Sequence, residues 1–239
     1  MRGSYPLSWL AASDEASSVW REPFIQTHLE RDIPAFGSRV PATTLRRFWQ
    51  MLAHNHGQLW NALRLASAFG ASPPKVQHYL DILEETYMVR RLHPWTANLG
   101  KRLIKSPKAY LQDSGLLHAL LDIHSVEDLY GHPMGGASWE GWVLEQLARQ
   151  LAPRWQLAFY RTAAGAELDV VDEKGRRRLG FEVKLSSAPT VSKGFWRVVA
   201  DVKHEKCYLI PPVGSGYPLA KNVEVLPAQE LGNGIPSAG

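Results

Sequence analysis

The stretch ELDVVDEKGRRRLGFEVK, residues 167–184, decides how the chain is read. Both of its ends alternate with a period of two, as strands with one buried face do. Leu168 and Val170 fall on one face, with Glu167 and Asp169 on the other. Phe181, Val183 and Leu185 fall on one face of a second strand, with Glu182 and Lys184 on the other. The polar run DEKGRR joins the two strands as a hairpin turn. With Gly175-Arg176 as a two-residue loop, Asp169 stands opposite Glu182, Glu167 stands opposite Lys184, and all four side chains share a face. A longer loop gives a different register. Two like charges directly opposed destabilise a plain solvent-facing hairpin. A cation between them removes that repulsion, and oxygen ligands with retained waters suit magnesium. A lysine beside such an ion orients or helps deprotonate a water, or steadies the charge growing on a phosphate. The expected chemistry is Mg2+-dependent hydrolysis of phosphodiesters. Asp169 and Glu182 are the metal ligands, and Lys184, Glu140 and Glu167 are the catalytic or supporting groups.

Upstream, residues 138–151 read as a helix capped by Ser138, with Val143, Leu144, Leu147 and Leu151 as its apolar stripe. Glu140 sits on that stripe and Glu145 does not. A carboxylate on a core-facing stripe needs a partner. It serves either a site or the first turn, where the helix dipole welcomes an anion. Around the hairpin, residues 155–162, 206–210 and 223–226 read as strands and residues 192–202 as a helix. The order is helix, three strands, helix, strand. Cys207 lies in an apolar strand and reads as core.

Toward the N-terminus, Leu45, Phe48, Trp49 and Leu52 repeat at helical spacing until Gly57 stops them. Residues 61–69 give a short second helix. Gly70-Ala71 is a tight turn. Ser72 and Pro73 open a third helix, whose buried stripe is Val76, Tyr79, Leu80, Leu83 and Tyr87. Two β-prone stretches, 87–92 and 103–112, follow as a wing. The whole reads as a winged helix-turn-helix. Arg90, Arg91, Lys101, Arg102, Lys105 and Lys108 form a run of cations free of acids, suited to gripping phosphates. Lys75, Gln77 and His78 at the start of the third helix are the candidate groove contacts. Asp81, Glu84 and Glu85 further along that helix would repel DNA. The alternative is a protein-packing scaffold with a solvated basic edge.

The motif ELDVV…FEVK, with Glu140 upstream and the order αβββαβ, resembles the PD-(D/E)xK nuclease-like core. Leu168 stands where the classical motif has a proline. Nearly the whole chain resembles the C-terminal portion of prokaryotic AAA-type ATPases that carry a DUF4143-like domain of unknown function. The matching tracts are RGSYPLSWL, WREPFIQTHLERDI, AYLQDSGLLHAL, WEGWVLEQL, YRTAAGAELDVV and FEVKLSS. The resemblance implies an ATPase module before residue 1 that binds ATP and magnesium. This chain has no G-x-x-x-x-G-K-S/T phosphate loop. It then departs from the family by lacking that module, as a truncated or split product would, or it works with a separate ATPase chain. The resemblance assigns Asp113 and Gly115 of the DSGL turn a structural role only.

The fold class expected is therefore α+β: residues 1–38 as a helical segment, 39–115 as a winged helix, 116–137 as a linker, 138–232 as the nuclease-like domain and 233–239 as a tail. The chain has 239 residues with 45% hydrophobic and 21% charged residues, which excludes disorder. A net charge of +4 permits a DNA partner without demanding one. One cysteine excludes a disulfide framework and fits a cytoplasmic setting. No apolar run reaches membrane-span length. The start MRGSYPLSWLAASDE, broken by Ser8, does not read as a signal peptide. His54 and His56 suit a helix end better than a metal site, and Trp139 and Trp142 read as core.

Overall fold

A computed structural model describes residues 1–96, 103–151 and 155–235. The chain forms two compact units. One comprises Met1–Arg91 with Lys108–Gly141, the other Leu92–Pro107 with Trp142–Gly239.

The first unit runs α1 (Pro6–Trp9), α2 (Asp14–Thr27), a π-helical turn (His28–Asp32), α3 (Ile33–Ala35), α4 (Ala42–Ala53), α5 (Ala62–Phe69) and α6 (Pro73–Glu85). Then come β1 (Val89–Leu92), β2 (Lys108–Leu111), α7 (Ser114–Leu120), α8 (Val126–Gly131) and the start of α9 (Gly135–Leu151). The stripe on α4 is as the spacing predicts: Leu45, Phe48, Trp49 and Leu52 are fully buried. Asn61 caps α5 by accepting the Arg64 amide at 3.0 Å. β1 and β2 pair as a two-stranded sheet.

Three expectations change here. Ser72 precedes α6 but makes no side-chain cap. Tyr87 does not extend the α6 stripe; it is 77% exposed with a φ of 59°. The helix ends in a Schellman turn, with the Tyr87 amide on the Glu84 carbonyl at 3.0 Å and the Met88 amide on Leu83 at 2.8 Å. That geometry needs a left-handed residue at 87, which turns the ring outward. Third, residues 1–38 and 116–137 are neither a separate segment nor a linker. Ile25, Leu29, Ile33, Leu116, Leu117 and Leu120 fill the same core as α4 and α6. Asp113 fastens these pieces, taking the Leu116 amide at 2.8 Å and the Ser4 amide at 2.6 Å.

α9 begins three residues before Ser138, so Ser138 is inside the helix. Its hydroxyl lies 2.7 Å from Nε2 of the buried His118. Gly141 is needed for close approach. A Cβ there would overlap Nε2 of the buried His56 ring and stand 2.8 Å from its Cε1. The ring is pinned by the Leu111 amide, which donates to Nδ1 at 3.0 Å. Alanine normally gains about 1 kcal/mol over glycine inside a helix. Overpacking a pinned ring costs about 1–3 kcal/mol, so Gly141→Ala is expected to destabilise the chain despite its better helix propensity. Urea unfolding measures this; a raised midpoint would refute it.

The second unit holds β3 (Gln156–Arg161), β4 (Glu167–Lys174), β5 (Arg177–Val183), α10 (Lys193–Val202), β6 (Lys206–Ile210), β7 (Tyr217–Ala220), β8 (Val223–Val225) and α11 (Ala228–Leu231). Its six-stranded sheet has the order β3-β4-β5-β6-β8-β7. β3, β4 and β5 are antiparallel neighbours. β6 is parallel to β5, across the α10 connection, and β8 is parallel to β6. Phe195, Val198 and Val202 of α10 pack with Tyr160, Leu168, Val171 and Cys207. Among the described residues no helix is long and apolar enough to cross a membrane.

The hairpin has the two-residue loop. Lys174 pairs with Arg177, Asp172 with Leu179 and Val170 with Phe181. Gly175 has a φ of 63° while Arg176 has no positive φ, as a type II′ turn with leading glycine requires. Against β3, however, β4 shifts register between Ala158 and Tyr160. Such a bulge inserts one residue and changes the phase of alternation. Leu168 therefore joins Val171 in one core cluster, instead of sharing a face with Val170 by simple alternation.

Candidate functional site

In the second unit, the register that pairs Val170 with Phe181 leads one step outward to Asp169 and Glu182. Oδ2 of Asp169 accepts the Val183 amide at 2.8 Å, which holds its carboxylate against β5 beside Glu182. Glu182 is buried, and its Oε1 is 2.6 Å from Nζ of Lys184. Lys184 keeps a side-chain exposure of 39%. Asp169 thus contacts the backbone of β5 at Val183, and the neighbouring Glu182 pairs with Lys184, at the ends of β4 and β5. Two carboxylates are hard oxygen donors suited to magnesium, which keeps several waters, and unsuited to a closed zinc site. Among the described residues no group of three or more His, Cys, Asp or Glu is placed to hold a metal ion, so water would complete any coordination there.

Glu167 is drawn elsewhere. It pairs with Arg161 of β3 in register and by an ion pair of 3.1 Å. The bulge that rephases β4 against β3 is the local cause. Glu140 belongs to the first unit. Its Oε1 accepts from Lys108 Nζ at 3.0 Å and from the Tyr110 hydroxyl. The carboxylate on the stripe has the partner that burial demands, supplied by β2. Glu145, expected off the stripe, is buried at 5% exposure, because α9 buries more than one narrow face.

The basic run disperses. Lys108 is 4% exposed and committed to Glu140, so its charge faces inward. Arg91 is held by Asp81 at 3.0 Å and by Glu84, which neutralises two of the acids expected to repel DNA. Arg90 is half-buried and Lys105 is exposed. Lys101 and Arg102 lie outside the described residues. On α6, Gln77 is occupied, accepting from Trp60 Nε1 at 2.9 Å and donating to Asp81 at 2.8 Å. Lys75 and His78 are exposed.

Two buried ionisable groups of the second unit escaped the sequence reading. Asp172 on β4 is fully buried, and among the described residues neither carboxylate oxygen finds a hydrogen-bond partner of good geometry, the Glu173 amide giving only slight relief. Burial pushes its pKa up to about 7. His204 lies buried against Gly180; burial, and then the charge of Arg178, lower its pKa to about 4. The Cys207 thiol is pushed above its usual range by burial and then by Glu182. It is core, as its strand position indicated.

Residues 135–231 match the family model of DUF4143, a domain of unknown function. Residues 1–127 match that of DUF8612, also a domain of unknown function. An uncharacterized protein of Mycobacterium bovis and one of Mycobacterium tuberculosis are each 43% identical over 231 residues, covering 97% of this chain. That alignment takes in 52% of each relative, so the chain spans about half the length of the curated relatives it matches. No solved structure matches. The DUF8612 model extends over more than half of the chain, and the protein accordingly belongs to that family.

Proposed function

We propose that the second unit is a PD-(D/E)xK nuclease-like domain that cleaves DNA phosphodiesters with Mg2+. The observation that carries the reading is the bond of Asp169 to the Val183 amide on the adjacent strand, next to the Glu182–Lys184 ion pair. Asp169 and Glu182 would hold Mg2+, which supplies a Lewis acid and a more acidic bound water. Asp169 is steadied by the Val183 amide, so its carboxylate is oriented before any substrate arrives. Lys184 stands beside Glu182, where its ammonium orients the attacking water or stabilises charge on the phosphate. Glu167 is a positioning partner of Arg161 and no longer a catalytic candidate.

We read α4 to α6 with β1 and β2 as a winged helix that presents DNA. Three helices followed by a two-stranded sheet support this. The remaining half of the longer relatives is read as the ATPase module. A second reading, a non-catalytic DNA-binding or docking module, is favoured by the commitment of Glu140 to Lys108 and Tyr110.

Cleavage of plasmid and linear DNA with and without Mg2+ separates the two. Asp169→Ala is expected to abolish Mg2+-dependent cleavage, and Lys184→Ala to reduce it about a hundredfold, the usual cost of losing a charge-stabilising donor. Glu167→Gln should change it little. Cleavage that survives Asp169→Ala would end the nuclease reading. Salt-sensitive DNA binding with no cleavage by the wild type would favour the second.

A further inference from the structure

The first unit has an open concavity of about 400 Å³ bounded by the first turns of α4 and α6 and the end of α5. Thr43, Thr44 and Arg47 line it from α4, Phe69 from α5, and Lys75 and Tyr79 from α6. Among the described residues no acid lines it. Arg47 is fixed in place. Its guanidinium stacks 4.6 Å from the Phe69 ring centroid and donates to the Phe69 carbonyl at 3.0 Å. Neither Arg47 nor Lys75 forms an ion pair with a carboxylate among the described residues. This distinguishes them from Arg91 and Lys108, whose charges are spent internally. An adjoining hollow shares Thr43 but contains Glu22 and Glu30, and Arg46 pairs with Glu22 at 2.6 Å. The two cations therefore face one side of α4, and the acids the other hollow.

We propose that this concavity is a phosphate seat, in which Arg47 and Lys75 hold one phosphate of a duplex DNA backbone. Two uncompensated cations with two threonine hydroxyls match the charge and acceptor oxygens of a phosphodiester. The stacked, hydrogen-bonded Arg47 loses little freedom on binding, so its charge acts at low entropic cost. The seat extends the DNA-presenting reading of α4 to α6 by moving the contact from Gln77, which is occupied, to Arg47. It shares no residue with the Asp169 site.

The test uses the full chain in EDTA, so that cleavage plays no part. Anisotropy of a short labelled duplex is followed over a salt series. Arg47→Met keeps the alkyl stem against Phe69, and Lys75→Ala removes an exposed charge, so both variants should fold. Each is expected to weaken binding about eightfold at ~0.1 M salt and to lower the salt slope by about one. In a second arm, inorganic phosphate and a mononucleotide are titrated in thermal unfolding. Saturable stabilisation lost in both variants, without duplex binding, would keep the seat and assign it to a free phosphate ligand. Duplex binding unchanged in both variants, or no response of the wild type to any of these probes, overturns the proposal. Either result leaves the Asp169 reading to the cleavage assay.

Discussion

Lys108→Met is expected to destabilise the first unit by about 3 kcal/mol, the lower end of what breaking a buried ion pair costs. The ammonium is buried, with 5% side-chain exposure, and Glu140 retains 19%. Removing the cation leaves a largely desolvated carboxylate that, among the described residues, has the Tyr110 hydroxyl to compensate it. Methionine has nearly the same volume as the lysine stem, so the loss reports charge and not packing. Glu140→Gln in the same chain removes the stranded charge while keeping an acceptor for Tyr110. The double variant Lys108→Met with Glu140→Gln is therefore expected to recover most of the stability. Urea unfolding of the full chain as a double-mutant cycle reads this directly, with a coupling of about 1–3 kcal/mol. Additive single costs would mean that Lys108 and Glu140 do not act as a pair. The double variant also separates fold from function. If it folds but cleaves DNA poorly, the negative charge of Glu140 matters to the reaction; if it cleaves normally, Glu140 is a structural residue of the first unit.

That pair marks the limit of what the sequence made legible. Local patterns transferred well. The α4 stripe, the short helix near residues 61–69, the α10 and β6 segments and the two-residue loop at Gly175 follow from spacing and turn chemistry acting within a few residues. What failed depended on partners far along the chain. Glu140 meets Lys108 and Tyr110, 32 and 30 residues away, and nothing near Glu140 announces them. Tyr87 has the right spacing for the α6 stripe, yet two backbone hydrogen bonds that close the helix override periodicity. The bulge in β4 rephases Leu168 and sends Glu167 to Arg161 although the strand sequence alternates without a break. β7 was not foreseen at all, because its four residues are exposed and carry no alternating pattern. Neither α2 nor α7 signals by itself that it shares the core of α4, so the expected segment boundaries dissolved into one unit. Asp172 is different, since a usable signal was present. Once the loop is Gly175-Arg176, Asp172 must oppose Leu179, two positions beyond Val170, which places it among core residues and not in the turn.

Asp172→Asn should stabilise the second unit relative to the wild type by an amount that grows with pH. The folded chain raises the Asp172 pKa to about 7 because burial penalises its charged form, against 3.8 when unfolded. Between those values the folded state carries a proton that the unfolded state has released. The wild type therefore loses stability as pH climbs, at about 1.4 kcal/mol per pH unit, and the loss levels off just above pH 7. The integrated penalty approaches about 4 kcal/mol above pH 7. His204 acts in the opposite sense. With its pKa lowered to about 4, it gives stability as pH rises from 4 toward the ordinary histidine value of 6.5. Within the second unit the two oppose each other over that range. Asparagine removes one arm of the balance. Its amide is also buried without good partners, a cost of about 1–3 kcal/mol that does not change with pH. The difference between variant and wild type isolates Asp172, since His204 is common to both. It is expected to move by about 2–3 kcal/mol in favour of the variant from pH 5 to pH 8. Urea unfolding of both full chains across that range gives the number, and a difference independent of pH would mean that Asp172 stays ionised in the fold. A carboxylate charged at that depth would need a cation beside it, and the sheet around Leu157 and Leu179, its pairing partners, offers none in register.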